Sequence, residues 1–197
     1  MRILCFSDLH HSARKAQVLV DASSGADLVI GAGDFCNMRQ DLKGAMGLLS
    51  DLNAPMIAVP GNAESAAELT KAASPGTIVL HGTGCVAQGL QIYGLGYGVP
   101  HTPFGDWSCD LSEEEAAALL VPCQSADILV LHSPPKGIAD RTSQGHSVGS
   151  VAIYDAVERI QPQIALCGHI HDSWGQRGHI GQCEVINLGP APVWLEL

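Results

Sequence analysis

Five short fragments carry, in chain order, side chains that can ligate metal. They are Asp8-Leu9-His10, Gly33-Asp34, Gly61-Asn62, His132 and Gly168-His169-Ile170-His171. Carboxylate, carboxamide and imidazole together suit first-row divalent ions such as manganese, iron and zinc. An Asp and a His two residues apart can reach one ion from a single loop. Asp34 has two carboxylate oxygens and can bridge two cations, and Gly33 before it lets the backbone come close. Asn62 offers a neutral carbonyl oxygen. The set reads as ligands for a pair of ions.

Such side chains need rigid elements to deliver them. Apolar runs at 2–7, 27–31, 56–59, 127–131 and 164–167 read as buried strands, and each stops at one of the fragments. Helical spacing of apolar residues predicts helices over 12–22, 39–51, 63–73, 112–121 and 149–160, with Ser112 and Glu115 forming a capping box. Segments 77–80, 85–87 and 90–97 read as an antiparallel meander between Gly turns, and 183–188 and 193–197 as two further strands. The strand–helix alternation in the first third predicts a parallel sheet. Loops at the carboxyl ends of such strands are where ligand sites form.

The 197 residues suffice for one domain with a proper core, and no linker or repeat divides them. With 46% apolar and 15% charged residues the chain is globular rather than disordered. Aromatics are only 5%, so Ala, Val, Ile and Leu must build the core, as in a layered α/β protein. No apolar run approaches a membrane span. Arg2 precedes only four apolar residues before Ser7 and Asp8, which does not read as a signal peptide. Seven cysteines without CxxC spacing are expected to be free thiols of a cytoplasmic protein, although Cys5, Cys36 and Cys167 lie close enough to the fragments to approach a metal. The net charge of -10 argues against duplex nucleic acid as a partner. It does not exclude a small phosphate ester, because two divalent ions outweigh the charges of Asp8 and Asp34.

In this order the fragments resemble the pattern of the calcineurin-like metallophosphoesterase superfamily: D-x-H, G-D, G-N-H-[DE], a later His, and G-H-x-H. Glu64 fills the acidic position, and Ile186-Asn187-Leu188-Gly189 is similar to the family's terminal N-P-G segment. His132-Ser133-Pro134-Pro135 with Gly137 and Asp140 also resembles a small HSPP-type branch. The resemblance implies one domain over residues 1–197, with an α/β fold in four layers, α/β/β/α, of two mixed sheets flanked by helices. It implies Asp8, His10, Asp34 and His171 around one ion, and Asp34, Asn62, His132 and His169 around the other, with Asp34 shared and catalytic. A bridging hydroxide would then attack phosphorus in line. Manganese is the first choice for the two divalent ions, with iron, zinc, nickel and magnesium the other candidates. The implied partner is a small phosphate ester, nucleotides included, and no membrane.

One position departs from the family. Many members have a His after the Asn, thought to protonate the leaving group or steady the phosphoryl oxygens, where this chain has Ala63. A methyl group does neither, and general acid catalysis supplies about 10² to 10⁴ in rate. Substrates with good leaving groups, such as aryl esters, are therefore expected to be favoured unless another residue substitutes. His146, in the polar 136–149 loop, is the candidate proton donor and substrate contact, an exposed loop His being the plain alternative. Arg141 and Lys136 could bind phosphate oxygens beside Asn62, or be surface charges. A loop with His101, Phe104 and Trp107 could cover the site and stack on a base, or simply pack over the core. The expected activity is phosphoester hydrolysis, with diesters favoured. The alternatives are a binding or scaffold protein that kept the fold, and a hydrolase of a nucleotide pyrophosphate bond.

Overall fold

A computed structural model describes all 197 residues. In chain order the elements are β1 (Arg2–Phe6), α1 (Ala13–Ser23), β2 (Leu28–Gly31), α2 (Leu42–Gly47), β3 (Met56–Ala58), α3 (Ala66–Ala72), β4 (Ile78–Val79), β5 (Thr83–Ala87) and β6 (Leu90–Leu95). There follow α4 (Glu113–Leu120), β7 (Ile128–Leu131), α5 (Val151–Ile160), β8 (Ile164–Cys167), a 3₁₀ turn (His171–Ser173), β9 (Arg177–Ile180), β10 (Cys183–Asn187) and β11 (Val193–Glu196).

The strands form two mixed sheets, of order β11-β1-β2-β3-β4 and β5-β6-β7-β8-β10-β9. β1 to β4 run parallel, with β11 antiparallel at one edge. In the second sheet β6, β7, β8 and β10 are parallel, and β5 and β9 close the edges antiparallel. The central strands are buried on both faces, which is why they read as continuous apolar runs. Alternation along β1 sends Ile3 and Cys5 into the core between the sheets, with Ile30, Val130, Leu166 and Ile186. Leu4 and Phe6 point the other way, under Leu19, Met46 and Leu69 of α1, α2 and α3. On the far side Leu129 and Leu131 pack beneath Leu120 of α4 and Ile153 and Val157 of α5. Each such side chain contributes about 1.5–3 kcal/mol by leaving water. The result is the α/β/β/α sandwich that the family resemblance implied.

Serine hydroxyls start four of the helices. Ser12, Ser65, Ser112 and Ser150 each accept an N–H from the third residue beyond, and both Ser65–Glu68 and Ser112–Glu115 form capping boxes. Such a cap is worth about 1 kcal/mol. The Glu113 carboxylate also accepts N–H groups of Val151 and Ala152, tying α4 to the start of α5.

Three local expectations change. The 77–97 segment is not one meander. β4 joins the first sheet, pairing Ile57 with Ile78 in parallel, and only β5 and β6 form a hairpin. The helix expected over 39–51 is the short α2, because Asp41 caps it late and Gly44 and Gly47 weaken it. The helix expected from 63 starts at Ala66, because Ser65, in extended conformation, caps it and forms the capping box with Glu68. β9, unforeseen, is a polar edge strand whose pairing with β10 carries it. No helix is long and apolar enough to cross a membrane.

Candidate metal centre

The parallel strands end together at one rim, and the loops leaving them turn sharply. Asp8, His10, Asp34 and His169 all have positive φ, between 48° and 67°. Non-glycine residues avoid this region unless the surroundings impose it, and it clusters at functional sites. Gly33, at φ 92°, has a further reason to be glycine. A Cβ there would lie 2.6 Å from Gly61 N and from His132 Nδ1, so the close approach is between loops of this protein. Gly168 is similar, since its Cβ would meet Asp8 Oδ2 and Ser7 Oγ at 2.5 Å.

Two groups of potential ligands converge. Asp8, His10 and His171 form one and Asp34, His132 and His169 the other, with the ligand atoms of each within 4.8 Å of one another. Asp34 faces both: its Oδ2 is 3.7 Å from His10 Nε2 and its Oδ1 is 3.5 Å from His132 Nε2. Asn62 Oδ1 lies 3.2 Å from His132 Nε2, which places Asn62 beside the second group. In the first, His171 Nε2 is 3.6 Å from Asp8 Oδ1 and 3.1 Å from His10 Nε2.

The donor set fits two divalent ions. His132 Nδ1 is 2.8 Å from the Ala32 carbonyl and His10 Nδ1 is 3.2 Å from the Cys36 carbonyl. Donation there leaves each Nε2 lone pair facing the cluster, the usual arrangement of metal-ligating imidazoles. Burial first, and then the neighbouring Asp8 charge, push the Asp34 carboxyl up to about 8. Burial, with His132 next to it, holds His169 down to about 3. Burial opposes ionisation of Asp8, but hydrogen bonds from His171 and Ser7 and the nearby imidazoles hold it at about 2. A cation between these groups would relieve the repulsion felt by Asp34.

Residues that are not ligands hold the loops in place. Glu64, fully buried, accepts N–H groups from Gly61 at 2.7 Å, Asp34 at 2.8 Å, Phe35 at 3.1 Å and Cys36 at 3.3 Å. It thereby clamps the Asp34 loop to the Asn62 loop. Asp8 Oδ2 accepts from Ser7 Oγ and from Trp174 Nε1 at 3.1 Å. Asn187 donates to the Ala139 and Gly168 carbonyls, so the end of β10 braces the His169 loop.

Sequence reasoning missed Ser108. Its hydroxyl is 3.0 Å from Asn62 Nδ2 and donates to Asp110 Oδ1 at 2.8 Å, while Thr102 binds the other oxygen of Asp110. The resulting chain from carboxylate to hydroxyl to amide aims Asn62 Oδ1 at its neighbours. Nothing in the sequence spacing connects positions 62 and 108.

The other expected residues divide. The structure brings neither His146 nor Arg141 into the two groups. His146 is exposed on the 141–147 turn, and the Arg141 guanidinium donates to Gly145 O at 2.9 Å. Lys136 Nζ donates to Ser147 O at 2.7 Å. The aromatic loop does reach the site: Phe104 stacks on Trp107 with centroids 5.7 Å apart and lies edge-on to His169 at 6.4 Å. Trp107 also packs partly onto the core. His11 lies 3.7 Å from Asp41, away from the ligands. The Cys36 and Cys167 thiols face the carbonyls of Ala63 and Ile186, Cys5 is buried in the core, and all seven cysteines are free. Ala63 is buried, with its N–H on Asp34 Oδ1 at 2.8 Å.

Comparisons with known proteins identify the family and the fold. Human metallophosphoesterase domain-containing protein 1 is 33% identical over 104 residues, covering 50% of this chain and 30% of that protein. The chain spans less than a third of the length of the curated relatives it matches. The solved structure of TT1561 of Thermus thermophilus superposes with TM-score 0.72 at 18% identity, covering 95% of this chain and 88% of that one. A dimetal phosphatase from Danio rerio superposes with TM-score 0.57 at 13% identity, over 96% and 88% of the two chains. The family model for the calcineurin-like phosphoesterase superfamily domain matches residues 1–195. A match of that extent, on a four-layer sandwich with paired ligand groups at its rim, makes this chain a member of the calcineurin-like phosphoesterase superfamily.

Proposed function

We propose that the chain acts as one catalytic domain, a two-metal hydrolase of small phosphate esters that favours diesters, with nucleotides among the candidate substrates. The observation that carries this reading is Asp34, whose two oxygens face the two ligand groups separately. Asp8, His10, Asp34 and His171 would hold one ion, and Asp34, Asn62, His132 and His169 the other. When bound, such ions supply an activated water and positive charge for the phosphoryl oxygens. The protein's own part is to fix the ligand atoms through Glu64 and Ser108, and to keep His10 and His132 in the tautomer that presents Nε2. Manganese is the first ion to try, and free thiols accord with a cytoplasmic setting. For basic leaving groups, His146 is the assigned proton donor and Arg141 the phosphate contact, both from the 141–147 turn.

The test is hydrolysis of bis(p-nitrophenyl) phosphate beside p-nitrophenyl phosphate with Mn, Ni, Zn and Mg. Metal-dependent turnover, faster on the diester and abolished in Asp34→Asn, is the expected result. Two bound equivalents of metal with no turnover would mark a scaffold that kept its ligands. A His146→Ala variant that loses aryl and alkyl diester turnover equally, or loses neither, removes His146 from the acid role.

A further inference from the structure

We propose that the cleft beside His169 seats a planar aromatic leaving group of the phosphate ester. The inference rests on the phosphoesterase reading above and names its substrate class. The cleft has a volume of about 520 Å³, and His169 forms part of its lining. That size lies within the range used by small-molecule sites, roughly 300–1,000 Å³. His169 belongs to the second ligand group, so the cleft is the space that adjoins a phosphoryl group held there.

The lining suits a flat apolar guest. Phe104, Pro103, Val148 and Ile170 line it, and Phe104 and Val148 remain 50% and 36% exposed. Phe104 is nevertheless held in place. Trp107 stacks on it within 8° of parallel, and it meets His169 edge-on at 68°. A ring fixed on one side and half exposed is a ready stacking surface, since aromatic groups associate by offset stacking as well as by burial. Lys136 is the one Lys or Arg lining the cleft, and no Asp or Glu lines it, in a chain of net charge -10. Its ammonium is anchored on Ser147 O and supplies the lining with positive charge that suits an anionic leaving group.

The chemistry at Ala63 points to the same class. With no proton donor at that position, the P–O bond must break with its electron pair staying on the leaving oxygen. Water forms the new P–O bond and releases a proton to solvent. The products are a phosphate monoester and an aryloxide, which takes a proton from water later. An aryloxide is weakly basic enough to depart this way, whereas an unactivated alkoxide is not.

The experiment compares methyl phenyl phosphate with methyl hexafluoroisopropyl phosphate on the metal-loaded protein. Their leaving groups are similar in acidity and differ in planarity. In Phe104→Ala, kcat/KM for the phenyl ester should fall about tenfold, chiefly through KM, while the fluoroalkyl ester changes by less than about twofold. Phe104→Tyr keeps the ring and should behave as the parent. Equal losses on both esters, or no loss on either, would overturn the proposal. A second arm measures binding of phenylphosphonate and methylphosphonate to the metal-loaded protein by calorimetry. Should neither ester turn over, the phosphoesterase reading falls while this arm still decides the cleft. A phenyl preference lost in Phe104→Ala supports the assignment, and equal affinities for the two phosphonates refute it.

Discussion

Replacing Ala63 by His asks whether leaving-group departure is the step this site lacks. The backbone there is pinned on both sides: the N–H lies on Asp34 Oδ1 at 2.8 Å, and the carbonyl accepts from Arg39 N at 2.9 Å and from Cys36 Sγ at 3.1 Å. The change is thus confined to the side chain. Ala63 is only 2% exposed and packs in the cluster that includes Phe35 and Leu69, so an imidazole must displace neighbours. Overpacking of this kind costs about 1–3 kcal/mol. For a chain of this size each kcal/mol lowers Tm by about 2–4 °C. Against that loss, a positioned general acid returns about 10² to 10⁴ in rate, but only where the leaving oxygen needs a proton. An alkyl diester should therefore gain roughly a hundredfold in kcat while an aryl diester changes little. Thermal melting with metal present verifies folding, and phosphorus NMR follows both esters. A folded, metal-loaded variant whose aryl-to-alkyl rate ratio equals the parent's would refute the reasoning.

Two further outcomes follow from the site. Ser108→Ala removes the acceptor for the Asn62 amide, and loss of such a supporting hydrogen bond should weaken metal binding at that group about 10- to 100-fold by calorimetry, with circular dichroism unchanged; an unaltered affinity would show that Ser108 does not orient Asn62. The second concerns metal-free protein. Burial and the Asp8 charge push Asp34 up to about 8 from 3.8, and burial and Asp34 push Glu64 up to about 7 from 4.5. A carboxyl raised in the folded state stabilises below its unfolded value, and that contribution is lost as pH rises through the folded value. His169, held at about 3, is largely neutral in both states above 6.5 and adds little slope there. EDTA-treated protein should therefore lose about 2 kcal/mol of stability between about pH 6.5 and 8.5, and saturating divalent metal should abolish the loss. A stability that rises across that window without metal would contradict the assignment.

Much of the candidate ligand set was legible because its residues end apolar runs. Buried parallel strands need no alternation of polar residues, so Ile3 to Phe6 or Ile128 to Leu131 stand out, and the first Asp or His beyond marks the rim. Ser112 with Glu115 was legible for a similar reason, since a cap joins neighbours in sequence. What could not be read depends on contacts between distant positions. β4 pairs with β3 rather than turning into a meander because sheet membership is decided by the edge left open beside β3. Glu64 matched the motif, but its work of gathering four backbone N–H groups from two loops exists only once those loops meet. Ser108 reaches Asn62 across 46 positions, and Phe104, in the loop after β6, reaches His169, in the loop after β8 of the same sheet. His146, expected as a proton donor from its nearness to His132 in sequence, is exposed on the 141–147 turn, and sequence nearness alone does not say what it faces. Residue type and local periodicity are enough to mark which atoms could hold metal. Which of them face one another emerges only on folding, because facing is set by the packing of whole sheets.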